Sequence, residues 1–170
     1  DKAADPSSLM GASKRLMEMA ILGQYPVATT TRFANVAFSN GSLLESWVMR
    51  LREGQPLAVP ADTWRYFVSP QEAGQVCAIA SAAPAGSIVV PDEAETGNVE
   101  LESALMAVLA HLGLDPVFVP EEEALDAARY GETEVPIVRS LRDTAGEKRE
   151  EKFVATNDVR TDWLPNVGVV

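Results

Sequence analysis

Helix and strand signals alternate along this chain, and the alternation sets the class of fold before any single residue is considered. Asp5-Pro6-Ser7 puts a capping acid before a first-turn proline and predicts a helix to about Leu22, stopped by Gly23. Leu9, Leu16, Met19 and Ala20 supply its apolar side. Pro26 to Val36 is β-branched and turn-bounded, the pattern of a strand. Ser42 to Glu53 predicts a helix ended by Gly54, and Leu57 to Val59 a short strand. Ser69-Pro70-Gln71-Glu72 is a second cap, with Glu72 in the capping-box position, and opens a helix to about Ala82. A strand over Ser87 to Val90, a helix over Asn98 to Leu112 closing on Gly113, and a strand over Pro116 to Val119 continue the series. Helices interposed between strands act as crossovers, so the expected fold is α/β with a largely parallel sheet. After Pro120 the pattern weakens. Glu121 to Tyr130 is helical in composition, Asp143 to Val154 predicts a turn and a short helix, and the tail from Asn157 reads as coil.

Composition narrows the functions open to such a fold. At 170 residues and 46% hydrophobic, the chain can bury the core of one ordinary domain. Its net charge of -11 repels polyphosphate backbones, so no nucleic-acid partner is expected. One cysteine, Cys77, forbids an internal disulfide; it falls in a mostly apolar helix and is expected to be buried. With one cysteine and one histidine, His111, no zinc site is expected. His111 suits the end of its helix, and Trp47, Trp64 and Trp163 read as packing residues. No apolar run approaches a membrane-spanning length. The chain opens on Asp1 rather than Met, in a polar turn ahead of a helix, as expected of a fragment.

Candidate chemistry begins in that turn. Met10 and Lys14 lie four apart and share a helix face, while Asp1 and Lys2 precede the helix. One carboxyl and two amines can therefore meet in one pocket, although spacing alone also suits solvated surface lysines. The segment DKAADPSSLMGASKRLME resembles, without a gap, the active-site segment of the polysaccharide-biosynthesis nucleotide-sugar 4,6-dehydratases, a branch of the extended short-chain dehydrogenase/reductases. Met10 stands where most of that superfamily has a catalytic tyrosine, and the chain is similar to the Met-x-x-x-Lys branch. A thioether cannot carry the tyrosine's proton.

Downstream, Arg32-Phe33-Ala34-Asn35-Val36 resembles the family's Arg-Tyr/Phe-Gly-Asn-Val, and Asn40-Gly41-Ser42 its Arg-Gly-Ser turn. Glu45 replaces the proline that follows. Trp64-Arg65-Tyr66-Phe67-Val68 resembles Thr-Arg-Tyr-Phe-Met. Gly146-Glu147-Lys148 with Glu150-Glu151 resembles Gly-Glu-Lys-x-x-Glu-Glu, but Thr144-Ala145 replaces the Arg-Pro before it, with Arg142 as the candidate substitute.

The resemblance implies the last part of a Rossmann-like parallel-sheet domain over 1–40, a smaller α/β substrate-binding region over 41–156 and a tail over 157–170. It implies Asp1 as acid, Lys2 as base and Lys14 as ribose holder, with Met10 in the tyrosine's place. Asn35, Ser42 and Arg65 become substrate-binding candidates, Arg65 because guanidinium suits bidentate phosphate binding. Arg32 is expected to support the fold instead. The cofactor implied is NAD or NADP and the substrate a nucleotide sugar such as a UDP-N-acetylhexosamine. No Gly-x-Gly-x-x-Gly turn occurs in the sequence, so the main cofactor site is expected in an N-terminal half outside this chain. A 4-epimerase and a non-catalytic nucleotide-sugar-binding relative are the rival readings. A homo-oligomer is the further partner implied. The location implied is cytoplasmic, at the inner face of a membrane if a preceding segment anchors it.

Overall fold

The computed structural model describes residues 1–126, 130–142 and 146–170. The chain forms two compact units that interleave along its length. One comprises Asp1–Val36, Arg65–Asn98 and Thr144–Val170, the other Ala37–Trp64 and Val99–Asp143. Segments that a contiguous division at residues 40 and 156 would separate thus pack together.

In the first unit, helix α1 (Leu9–Gln24) is capped by Ser8, whose Oγ accepts from Gly11 N at 3.1 Å. The expected cap, Asp5, is committed elsewhere: its carboxylate accepts from Thr156 N at 3.0 Å and Thr156 Oγ1 at 2.8 Å. The helix turns Gly11, Arg15, Glu18 and Leu22 inward, a stripe at helical spacing. Its apolar side faces outward, with Leu9 92% exposed and Leu16 and Met19 also exposed.

The single strand expected over Pro26 to Val36 is two strands in two sheets. Strand β1 (Thr30–Thr31) runs parallel to β5 (Ile88–Pro91), and β2 (Asn35–Val36) runs parallel to β4 (Trp64–Val68), a strand the sequence reading did not anticipate. The break has a cause. Arg32 N still joins the first sheet through Val89 O, but its side chain turns into a buried ion cluster. The next carbonyl, of Phe33, accepts from the main-chain nitrogen of Asp1 at 3.2 Å. The backbone then joins the second sheet at Asn35.

Helix α3 (Pro70–Ala80) carries the complete capping box foreseen at Ser69 and Glu72 and packs on β1 and β5. It turns Ala73 and Ala80 inward and leaves Cys77 exposed, not buried as expected. The tail is not coil. Strands β9 (Thr161–Leu164) and β10 (Val167–Val169) form a hairpin around Asn166, at φ 61, and β10 adds antiparallel to β5. That sheet reads β1-β5-β10-β9. Ala34, Tyr66, Ile88, Val90 and Phe153 form the unit's core, with Leu22, Val68, Val154 and Val170 against it. The Tyr66 and Phe153 rings lie 5.0 Å apart, a favourable tilted pair. A short helix, α4 (Glu93–Thr96), follows β5.

The second unit is built on an all-parallel sheet of β3 (Leu57–Pro60), β8 (Glu134–Ser140) and β7 (Asp115–Phe118), in that order. Its central strand, β8, was not anticipated, and Pro136 within it is unusual for an interior strand. Helix α2 (Leu43–Arg52) packs on β3, and α5 (Leu101–Leu112) on β3 and β7, burying Leu101, Leu105 and Leu109. Helix α5 starts three residues later than expected, because Asn98–Glu100 is a strand, β6. It ends on left-handed Gly113, as foreseen. Trp47 is buried and donates to Ala58 O at 2.9 Å. Helix α6 is only Glu121–Ala124; residues 127–129 of the longer helix expected there lie outside the described residues. No helix occurs over 146–154, where a short one was expected. Among the described residues no helix is long and apolar enough to cross a membrane.

Candidate active site

The first unit gathers most of the candidate residues at the turn ahead of α1. Lys2 Nζ donates to Asp1 Oδ1 and to Asn35 Oδ1, each at 3.3 Å. Asn35 Nδ2 donates to Tyr66 O at 3.2 Å and reaches Asp1 Oδ2 at 3.5 Å. The β2–β4 pairing places Asn35 opposite Phe67 and so beside the Tyr66 carbonyl. The Asp1 carboxylate is largely buried, while Lys2 keeps a partly open side chain. Burial holds the Lys2 ammonium below the ordinary lysine value. Glu151 and Glu147 oppose that shift and Arg65 adds to it. A lysine that gives up its proton more readily is better suited to act as a base.

Lys14 lines a recess of about 300 Å³ together with Asp1, Lys2, Met17, Glu18 and Phe33. Met10 does not line it and is mostly exposed. Gly11, between them, is a requirement of packing: a Cβ there would stand 2.8 Å from Lys2 O and 3.1 Å from Pro6 Cβ. Only glycine lets the helix approach the Asp1-Lys2 turn so closely.

Arg65 is buried on β4, where it donates to Glu147 Oε1 at 3.0 Å and Arg149 O at 3.2 Å. The structure therefore joins two separate motifs of the sequence. Lys148 reaches back to the turn itself, donating to Ala4 O at 2.6 Å and pairing with Glu151 at 3.1 Å. Ser42 belongs to the second unit. Its Oγ caps α2 by accepting from Glu45 N at 3.2 Å, and Glu45 Oε2 accepts from Gly41 N at 2.6 Å. That reciprocal contact gives Glu45 a local role at the position of the family's proline. Arg142 lies 3.9 Å from Asp62, and Thr144-Ala145 lies outside the described residues.

Two sets of contacts were not apparent from the sequence, although Lys148, Glu151 and Arg32 were named in it. The first is the Lys148–Glu151 pair. The second is the ion cluster of Arg32, where Nε and Nη2 donate to Glu18 at 2.8 and 2.7 Å, and Nη1 to Asp158 at 2.6 Å and Phe153 O at 2.8 Å. Arg15 joins it through Glu18 at 2.5 Å and Asp158 at 3.4 Å. Arg32 thus supports the fold, as expected.

A family profile described as "Polysaccharide biosynthesis protein" matches residues 1–163. The chain is 38% identical over 92 residues to "Probable polysaccharide biosynthesis protein EpsC" of Bacillus subtilis (strain 168), a match covering 51% of this chain and 15% of that protein. It is 35% identical over 99 residues to "Capsular polysaccharide biosynthesis protein CapD" of Staphylococcus aureus, covering 54% and 16%. The fold is similar to that of Pen from Bacillus thuringiensis, with a TM-score of 0.78 at 18% identity, over 99% of this chain and 50% of that one. The matches therefore span a small part of the curated relatives and half of the solved structure. The fold likeness agrees with the Rossmann-like α/β architecture expected.

Proposed function

The chain belongs to the polysaccharide biosynthesis protein family, and from that premise we propose that it is the C-terminal part of an NAD-dependent nucleotide-sugar 4,6-dehydratase. The observation that carries this reading is the convergence of Asp1, Lys2 and Asn35, beside the recess that Lys14 lines. The reacting sugar is taken to be part of a nucleotide sugar such as a UDP-N-acetylhexosamine. The nicotinamide, when bound, supplies oxidation at C4 and reduction at C6. The protein's own residues handle protons. Lys2 removes the C5 proton, acidified by the C4 ketone, and Asp1 protonates the C6 hydroxyl as it departs as water. Asn35 holds both side chains in register, since it bonds Lys2 through its oxygen and faces Asp1 through its nitrogen. Lys14, which lines the recess with Asp1 and Lys2, would bond the ribose hydroxyls of the nicotinamide nucleotide. The phosphate-cradling turn belongs, on this reading, to the rest of the full-length protein. Arg65 would exchange its Glu147 contact for a diphosphate.

Met10 carries a thioether, which cannot carry the tyrosine's proton, and this favours a mechanism that does not use the tyrosine position, against an ordinary 4-epimerase. The test is incubation of full-length protein with NAD and UDP-N-acetylglucosamine, following the product by NMR. A 4-keto-6-deoxy sugar is expected. A C4 epimer with no loss of water would replace the dehydratase by the epimerase. Tight binding by calorimetry with no product would mark a binding protein.

A further inference from the structure

The turn carrying Asp1 and Lys2 is held by Lys148, which pairs in turn with Glu151, and the proposed chemistry uses neither residue. Lys148 Nζ donates to Ala4 O, two residues past Lys2, and Ala4 is fully buried. The same ammonium pairs with the Glu151 carboxylate, and these side chains are only 17% and 7% exposed. A buried pair of this kind is weak evidence of stability for its own sake. Its placement is more telling. We propose that Lys148 and Glu151 are positioning residues for Lys2: Lys148 fixes the turn through the Ala4 carbonyl, and Glu151 holds the Lys148 ammonium in place. This rests on the reading of Lys2 as the base.

The groups that act on Lys2 come from four parts of the chain. Asp1 in its own turn and Asn35 on β2 accept its hydrogen bonds, while Arg65 on β4 and Glu147 and Glu151 in the segment after residue 145 act on it through their charge. Burial favours the neutral amine; Glu151 and Glu147 favour the ammonium; Arg65 opposes it. Lys148 partly neutralises Glu151 and so limits its hold on the Lys2 proton. Removing either member of the pair must then move Lys2 in opposite directions. Glu151→Gln removes a negative charge and makes Lys2 release its proton at lower pH. Lys148→Met leaves Glu151 uncompensated and makes Lys2 keep its proton to higher pH.

The experiment uses full-length protein and reads Lys2 in two ways. Competitive acetylation with acetic anhydride across pH, followed by mass spectrometry of the peptide carrying Lys2, reports its titration without turnover. The pH profile of kcat reports it in catalysis. A base is active when neutral, so activity rises as pH passes through the Lys2 titration. Glu151→Gln should shift both profiles to lower pH and Lys148→Met to higher pH. Lys148→Arg, which keeps the charge, should restore the wild-type position. In Lys148→Met, kcat should fall roughly tenfold with KM held within about twofold. Acetylation profiles that stay superimposed on the wild type, or that shift the same way in both variants, would overturn the proposal. If the acetylation profiles shift oppositely while the pH–rate profile does not follow, the pair stands and Lys2 is not the base.

Discussion

Arg32→Met tests whether the ion cluster at α1 holds the first unit together. The guanidinium is almost fully buried and makes two bonds to Glu18, one to Asp158 and one to Phe153 O. Removing it leaves two largely buried carboxylates with Arg15, itself more open and 3.4 Å from Asp158, and the Ala155 amide on Asp158. Breaking such a pair from one side costs about 3–5 kcal/mol, because the uncompensated charges stay buried. With a urea slope of about 2 kcal/mol per molar, the midpoint should fall by about 1.5–2.5 M at pH 7. The loss should also depend on pH. Burial pushes the Asp158 carboxyl up, but the Arg32 hydrogen bond, the Ala155 amide and the charges of Arg32 and Arg15 outweigh it and hold it below the ordinary value. A depressed carboxylate contributes stability that is present above its unfolded pKa, about 3.9, and is lost as pH falls through the folded value. The variant lacks most of that contribution, so its gap to wild type should narrow below about pH 4. Urea melts at pH 7 and at pH 3.5, followed by circular dichroism, decide the matter. A midpoint unchanged at pH 7, or an equal gap at both values, would refute the cluster's role. Replacing Glu18, Arg32 and Asp158 together by apolar residues should recover much of the loss, as buried ion triads often do.

Gly11→Ala should cost about 1–3 kcal/mol, since the added Cβ would overlap Lys2 O; an unchanged melting temperature would show that the helix and turn can separate freely. Ser69→Ala removes the cap of α3 and should lower stability by about 1 kcal/mol, or Tm by about 2–4 °C in calorimetry, and a neutral result would remove the cap from the account. Lys2→Ala in the full-length protein should lower kcat by roughly 10²–10⁴-fold in the NMR product assay, and unchanged turnover would exclude Lys2 as the base. The 170 residues alone should bind NAD undetectably by calorimetry, because the sequence holds no glycine-rich phosphate turn; micromolar binding would mean that the cofactor site lies within them.

What could be read from the sequence divides along the range of the interaction that decides each feature. Caps are local, so the Ser69–Glu72 box, the Ser42 cap and the left-handed Gly113 follow from three or four adjacent residues. Asp5 failed as a cap because a partner 151 residues away, Thr156, competes for its carboxylate. Strands β8 and β10 were missed for the same reason. Each is stabilised by a partner distant in the chain, and Pro136 and Gly168 point away from strands when only neighbours are considered. The site shows the same division. One helix and its preceding turn carry Asp1, Lys2 and Lys14, but that spacing equally suits surface lysines, and only the motif resemblance singles them out. Asn35 and Arg65 were legible only through their motifs, and their contacts with Lys2 and Glu147 depend on β2 lying beside β4. Nothing local marks Lys148 as a support of the Asp1-Lys2 turn, 144 residues before it in the case of the Ala4 carbonyl. A lysine in a charged run resembles solvated surface until the fold buries it. Glu18 gave no local hint: only the fold shows that Gly11, Arg15, Glu18 and Leu22 form the inward stripe of α1, where the buried Glu18 carboxylate meets Arg32.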